Sequence, residues 1–356
     1  MFIRNCWYVA AWDYELPKGE LVARSIINEP IVLYRAQDGG VVALADRCCH
    51  RLAPLSQGRI EGDDLRCLYH GLKFDRAGRC IEIPGQEMIP QTACVTAYPV
   101  VEQHSWIWVW MGDAAKADTS LIPQAKSLDD PNWILRSRYK DFEANYLLIN
   151  DNQTDFSHLS FLHRNTFGTG EEWARYLPKI TPLERGIRVQ RWTPETRPPG
   201  SPPSPFFKGG EPEGGVVNRL HYDYLVPGVM LMSSEFHPSS AMQLSHDAPP
   251  VTEPLHGNFS CQAVTPMTDK TTRLFFSWGP RACEDEEVAE ILIGVAEKAF
   301  EEDRIMIEGQ QKIIDLSPEA RMLNTSLDQG PNLMRSIVDR LLRAEGSKLE
   351  PLAAAE

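Results

Sequence analysis

The chain of 356 residues contains no apolar run near the roughly 18 residues that would suggest a membrane span. Its first residues, Met1–Ala11, lack the basic start, apolar middle and cleavage site of a secretory signal. Positive charge is also short, with 36 Lys and Arg against 49 Asp and Glu for a formal net charge of −13. That balance argues against nucleic-acid or anionic-membrane partners, whose binding rests on phosphate-neutralising basic patches. Any anionic substrate must therefore meet a local positive group rather than the global field. The eight cysteines show no disulfide-framework spacing. Together these absences predict a cytoplasmic protein with no membrane partner. The remaining composition, 42% hydrophobic and 24% charged, is that of a globular protein long enough for two domains or one large one.

Two short stretches carry the densest chemistry. Cys48-Cys49-His50-Arg51 and Cys67-Leu68-Tyr69-His70 each offer one thiolate and one imidazole. A Rieske [2Fe–2S] centre takes that set, with two cysteines on one iron and two histidines on the other. Neutral imidazoles in place of two thiolates raise the potential to roughly −150 to +300 mV. A structural Cys2His2 zinc site is the competing reading, but its spacing usually opens with two cysteines two to four residues apart. Here each half is mixed. The other six cysteines, Cys6, Cys49, Cys80, Cys94, Cys261 and Cys283, read as buried thiols in a reducing compartment.

Apolar runs at Ile31–Tyr34 and Val41–Leu44 flank Asp38-Gly39-Gly40, a hairpin signal. Short strands continue through Leu72–Phe74 to Trp106–Trp110, an aromatic run read either as a stacking platform or as a core strand. Residues 1–115 thus form an all-β domain whose loops carry the cluster ligands, and 116–356 a second domain. Between 195 and 215, prolines and glycines exclude regular structure, leaving a mobile loop or a flap over a pocket. Strand-like runs at Arg219–Met232, Asn258–Val264 and Arg273–Trp278, the last two joined across Thr265–Lys270, precede helix, which indicates α+β. In the helix expected from Glu286 to Ile314, Val288, Leu292, Val295, Ala296 and Ala299 mark a buried stripe whose extension lands on Asp303. A second amphipathic helix is expected over Leu333–Glu345, followed from Gly346 by a frayed tail.

His158 and His163 are five residues apart, about 140° around an ideal helix, so both can face one metal only where a helix bends or ends. With Asp303 they would complete a 2-His-1-carboxylate triad, which leaves positions on a non-haem Fe(II) open for O2. Asp155, three residues before His158, is a candidate acceptor for a ligand imidazole proton or a helix N-cap. A one-electron relay ahead of such a triad is what O2 activation requires.

The opening Met1–Ala11, the block Cys48–Leu55, the block Cys67–Phe74, Asn152–His163 and Phe300–Arg304 resemble the oxygenase components of Rieske non-haem iron oxygenases. The subgroup is that of vanillate O-demethylase, toluenesulfonate methyl-monooxygenase and dicamba O-demethylase, and the resemblance covers almost the whole chain. Cys49, Gln153-Thr154 and the 195–215 stretch depart from its pattern. The resemblance implies that Cys48, His50, Cys67 and His70 bind the cluster while His158, His163 and Asp303 bind the mononuclear iron. It implies that Asp155 bridges His70 of a neighbouring subunit to His158 in a head-to-tail trimer, with Asn152 near the iron. It also implies a curved antiparallel sheet gripping a long helix.

The expected function is the terminal oxygenase of a multicomponent monooxygenase. It would take electrons derived from NAD(P)H through a separate reductase, for which flavin and ferredoxin centres are the candidates, and oxidise a methyl or methoxy carbon of an aromatic substrate with O2. Ring cis-dihydroxylation and N-dealkylation are alternatives within the class; an electron carrier and a metal-stapled structural protein lie outside it. Asn218, Gln262 and Trp278, from strands expected to line the site, are the pocket candidates.

Overall fold

In the computed structural model the described residues are 1–167, 170–195, 204–207, 212–346 and 354–355, and the chain forms two compact units. Within the proline- and glycine-rich stretch, 196–203 and 208–211 lie outside the described residues, as does most of the tail expected to fray. One unit comprises Phe2–Gln124 with Thr265–Asp269; the other comprises Met1, Ala125–Val264 and Lys270–Glu356.

The first unit is built of small antiparallel sheets. The Asp38-Gly39-Gly40 signal closes the hairpin of Glu29–Arg35 and Val41–Ala45, which pairs Arg35 with Val41. Trp106–Met111 is buried along its whole length and pairs with the equally buried Cys6–Trp12. The tryptophan run is therefore a core strand rather than a stacking platform. Trp106, Trp108 and Trp110 share one face of the strand and Ile107, Val109 and Met111 the other, and both faces are buried. A four-stranded sheet, Arg59–Glu61, Asp64–Arg66, Lys73–Phe74 and Cys80–Glu82, carries the second Cys/His stretch in the loop between its middle strands.

The second unit centres on a seven-stranded antiparallel sheet: β1 Arg136–Phe142, β2 Lys179–Leu183, β3 Gly186–Pro194, β4 Val216–Leu225, β5 Val229–Pro238, β6 His256–Thr268 and β7 Thr271–Pro280. Their spatial order is β1-β7-β6-β5-β4-β3-β2. Among the described residues three α-helices accompany them: α1 Tyr146–Thr154, α2 Glu286–Leu316 and α3 Gln329–Ala344. The expected α+β architecture is present.

Two strand assignments need correction. The run expected over Arg219–Met232 is a hairpin, β4 and β5, turned at Val226-Pro227-Gly228. Pro227 has no N–H for a ladder, and a Cβ at Gly228 would come within 2.8 Å of Asn150 Oδ1 and of Val264 Cβ. The loop expected across Thr265–Lys270 is mostly strand, because β6 continues to Thr268.

The stripe on α2 is buried as expected at Val288, Leu292, Ala296 and Ala299, while Val295 is only half-buried, and it runs on through Asp303 to Ile307 and Gln311. On another face of α2, Glu290, Glu297 and Glu301 meet Arg136, Arg138 and Lys140 of β1 at 2.5, 3.1 and 2.7 Å. Alternate strand residues share a face, and helix positions seven and four apart share a stripe, so the three pairs align helix and edge strand. Being partly exposed, each contributes little stability singly.

Candidate active site and metal centres

Helix α1 is fixed at its start and at its middle. Asn145 caps it, its side chain accepting from Leu147 N at 3.0 Å, and Asn145 N donates to Gln311 Oε1 of α2 at 2.9 Å. Further along, buried Asn150 accepts the Tyr224 hydroxyl at 2.8 Å and donates to the Pro227 carbonyl at 3.2 Å, anchoring α1 to the β4–β5 turn. The α-helix stops at Thr154, whose hydroxyl bonds back to the Asn150 carbonyl at 2.8 Å. A 3-10 turn over Phe156–Ser160 and further turns to Phe167 follow.

That break resolves the five-residue spacing. The two imidazoles do not share an α-helix, and their ring centroids lie 5.2 Å apart. Asp303 Oδ1 sits 3.2 Å from His163 Nε2 and 3.6 Å from His158 Nε2. Donor atoms of His158, His163 and Asp303 all fall within 4.8 Å of one another. Two imidazole nitrogens and one carboxylate oxygen converging from one side are the donor set of a facial triad and fit a ferrous ion. Burial pushes the His158 imidazole below its ordinary pKa, favouring the neutral, ligating form. Burial acts the same way on His163, but the Asp303 and Glu302 carboxylates outweigh it and its pKa is raised.

The surrounding contacts hold these groups in orientation. His163 Nδ1 lies 2.7 Å from Glu302 Oε2, and the other Glu302 oxygen accepts the Thr166 hydroxyl at 2.6 Å. The sequence reading overlooked Glu302; its position beside Asp303 on the helix was the available signal. His158 Nδ1 is 2.7 Å from the Asp155 main-chain carbonyl, so the expected acceptor is the backbone of Asp155 and not its carboxylate. The carboxylate instead caps the 3-10 turn, accepting from Ser157 N at 2.8 Å and from the Ser157 hydroxyl at 3.0 Å. Asn152 Nδ2 donates to Asp303 Oδ1 at 2.8 Å and lies 3.3 Å from His158 Nε2. Replacing Glu302 with glutamine should weaken iron retention about 10- to 100-fold without unfolding the chain, as measured by iron content after graded chelator dialysis. Unchanged retention would count against the orienting contact.

Asn152, His158, His163, Thr166 and Asp303 line a cavity of about 610 Å³. Every second residue of adjacent strands faces it: Asn218 and Leu220; Met232, Ser234 and Phe236; Asn258, Ser260 and Gln262; Phe276 and Trp278. Leu292, Val295, Ala296 and Ala299 of α2 form an apolar wall, and Ser204, Pro205 and Phe206 of the proline-rich stretch also line the space. All three pocket candidates reach the cavity. Ser234, Asn258 and Ser260 were missed, although the alternation of small polar residues along Asn258-Phe-Ser-Cys-Gln262 was a readable sign.

In the first unit the two Cys/His loops share one backbone pattern. Cys48 N donates to the Ala53 carbonyl and Cys67 N to the Leu72 carbonyl, both at 2.8 Å. Leu52 N and Gly71 N return to the Cys48 and Cys67 carbonyls at 2.9 and 3.0 Å, and both residues have positive φ, 56° and 80°. Cys48 and Cys67 are buried, whereas His50 and His70 are exposed with ring centroids 4.5 Å apart. Burial, reinforced by neighbouring Cys67, pushes the Cys48 thiol up to about 11 when no metal is bound. Two buried sulfurs opposite two surface imidazoles suit a two-iron centre ligated unequally at its ends. Arg66 clamps the second loop, donating to the Gly71 carbonyl at 2.7 Å and pairing with Glu61 and Glu82 at 2.8 and 2.7 Å.

A Cβ at Gly71 would meet Pro84 Cγ at 2.7 Å, at a φ already disfavoured for side-chain-bearing residues. Gly71→Ala should therefore cost about 1–3 kcal/mol and hasten cluster loss, read as faster bleaching of the visible absorbance on warming. A variant that bleaches like the parent would show that the loop relaxes freely.

The Rieske [2Fe-2S] domain family matches residues 6–99, and the vanillate O-demethylase oxygenase C-terminal domain family matches residues 142–344. The toluene-4-sulfonate monooxygenase system iron-sulfur subunit TsaM1 of Comamonas testosteroni is 40% identical over 99% of this chain and 100% of its own length. A vanillate O-demethylase oxygenase subunit of a Pseudomonas strain is 31% identical over 97% of this chain and 96% of its own. A solved structure of dicamba monooxygenase with non-heme iron and dicamba superposes with a TM-score of 0.76 at 26% identity, covering 97% of this chain and 98% of that one.

Proposed function

Since the chain belongs to the Rieske oxygenases that carry a vanillate O-demethylase-type C-terminal domain, we propose that it oxidises a methyl or methoxy carbon of an aromatic compound with O2. It is the oxygenase component of a multicomponent monooxygenase and works with a separate reductase. The observation that carries the reading is the convergence of His158, His163 and Asp303 in the lining of a largely apolar cavity. Cys48, His50, Cys67 and His70 are the proposed cluster ligands, in a Rieske domain spanning 1–115; His158, His163 and Asp303 are the proposed iron ligands, in a catalytic domain spanning 116–356. When bound, the cluster relays single electrons and the ferrous ion activates O2.

The chain's own groups supply position and exclusion. Glu302 orients His163, the Asp155 carbonyl orients His158, and Asn152 steadies Asp303. The aliphatic wall of α2 keeps water from the reacting carbon and leaves aromatic substrates to be held by shape. After attack on a methoxy carbon, the resulting hemiacetal would collapse to a phenol and formaldehyde.

A head-to-tail trimer, with Asp155 between His158 and His70 of a neighbouring subunit, is part of the proposal. It is supported by the exposure of His50 and His70 beside exposed Leu52, Leu68 and Tyr69. A cytoplasmic location accords with eight cysteines that are all unpaired, although Cys49, Cys94 and Cys283 are exposed and not buried as expected. Among the described residues no helix is long and apolar enough to cross a membrane.

The test is iron and acid-labile sulfide per chain, with EPR of the anaerobically reduced protein, followed by a single turnover with O2 and an aryl methyl ether. About three irons to two sulfides, a Rieske signal and O2-dependent formaldehyde are expected. Two irons to two sulfides after ferrous reconstitution would leave an electron carrier.

A further inference from the structure

Helix α1 places Asn152 and Gln153 one after the other in its last turn, and both line the cavity. Successive side chains on a helix point about 100° apart and seldom meet. Here they do, because glutamine is long enough to reach round: Gln153 Nε2 donates to Asn152 Oδ1 at 3.1 Å. The next group in the chain of bonds is a metal ligand. Asn152 Nδ2 donates to Asp303 Oδ1 at 2.8 Å and lies 3.3 Å from His158 Nε2. The backbone under both amides is tied to α3, where Arg335 Nε donates to Asp151 Oδ1 at 2.8 Å. Gln153 is 3% exposed, and its Oε1 is buried with no hydrogen-bond partner. Among the described residues, Asn152 is thus the one partner of the Gln153 side chain. An apolar residue of the same shape would avoid the cost of burying that amide, so packing alone does not account for Gln153.

A carboxamide has two ends of similar size, and its neighbours decide which end faces where. Ionised Asp303 only accepts, which favours the NH2 end of Asn152. A hard divalent ion at the triad pulls the other way, since it draws oxygen donors. Metal loading also occupies the lone pair of His158 Nε2 and so removes it as an acceptor for Asn152. With the Asn152 amide turned over, Asp303 would lose its donor and the amide oxygen would compete for the ion. Gln153 opposes that turn, because its own N–H would then face the Asn152 NH2. Resting on the iron reading above, we infer that Gln153 is a positioning residue of the metal centre: its N–H holds the Asn152 amide with the NH2 end on Asp303 and the oxygen off the ion.

The test is nitric oxide binding to the full iron-loaded chain under argon, with the cluster left oxidised and EPR-silent. The readouts are the EPR signal of the ferrous–nitrosyl adduct and the iron content after graded chelator dialysis. The parent should give one nitrosyl species. Gln153→Met, close in shape but without a donor, should add a second species of different rhombicity and lower iron retention about three- to tenfold. In an Asn152→Ala background the same substitution should change neither readout, since its effect passes through that amide. A Gln153→Met chain with the parent's spectrum and retention would overturn the inference. An equal loss in both backgrounds would do the same, because packing alone then explains it. Gln153→Leu serves the same comparison should Gln153→Met not fold; failure of both to fold would mark Gln153 as structural and also count against the inference. A parent without a nitrosyl signal would sink the iron reading and this inference with it, whereas a parent signal indifferent to Gln153 sinks the inference alone.

Discussion

Asp303→Ala should lower the iron content by one per chain, leave the Rieske EPR signal unchanged, and reduce turnover by about a thousandfold or more. A thousandfold loss corresponds to about 4 kcal/mol of barrier. Asp303 is 3% exposed and contributes the one carboxylate oxygen that faces both imidazoles, at 3.2 and 3.6 Å. Without it, two neutral imidazoles must hold a hard divalent ion with no anionic donor, which is a poor site for Fe(II). The same oxygen accepts from Asn152, so that side chain also loses its tether. The Cys/His loops are made by other residues, 48–53 and 67–72, and their signal serves as an internal control. A variant that kept its third iron and its turnover would remove Asp303 from the site.

The second large effect is expected at Asp155, and the structure makes its test unusually clean. Asp155→Asn retains an amide oxygen able to accept from Ser157 N, so the 3-10 turn keeps its cap. It also leaves untouched the main-chain carbonyl that receives His158 Nδ1. Fold and iron content should therefore be unchanged, and what disappears is the negative charge. If that charge couples the cluster of one subunit to the iron of the next, turnover should fall about 100-fold or more. Stopped-flow absorbance should then show the reduced cluster persisting after substrate and O2 are added. A variant that reoxidises its cluster as fast as the parent would leave Asp155 with only a capping role.

Much of this protein was legible in the order of its residues. Cys48, His50, Cys67 and His70 could be singled out because a two-iron cluster takes its ligands from short contiguous loops, so ligand chemistry and spacing are local properties. Asp303 was readable because helical periodicity assigns each position to a face, and a carboxylate on an apolar stripe needs a partner. The Trp106–Trp110 strand and the Asp38-Gly39-Gly40 turn were legible for the same reason: propensity and alternation act over a few residues. The β4–β5 turn was misread although its signal was local too, since Pro227-Gly228 sits in an otherwise continuous apolar run.

What only the tertiary structure decided involves groups distant along the chain. That His158 and His163 meet Asp303 depends on where α1 is held, and α1 is anchored through Asn145 and Asn150 to Gln311, Tyr224 and Pro227, between 74 and 166 residues away. Whether His158 would bond the side chain or the backbone of Asp155 depended on where the 3-10 turn put Ser157, which claims the carboxylate. The neutral strip of Asn218, Ser234, Asn258, Ser260 and Gln262 exists only because three strands align in register and turn the same residues inward. Local sequence specifies which chemistry each side chain carries and which face of its element it occupies. Long-range pairing and packing determine which of those faces meet, and so which donors share a metal and which polar side chains line one cavity.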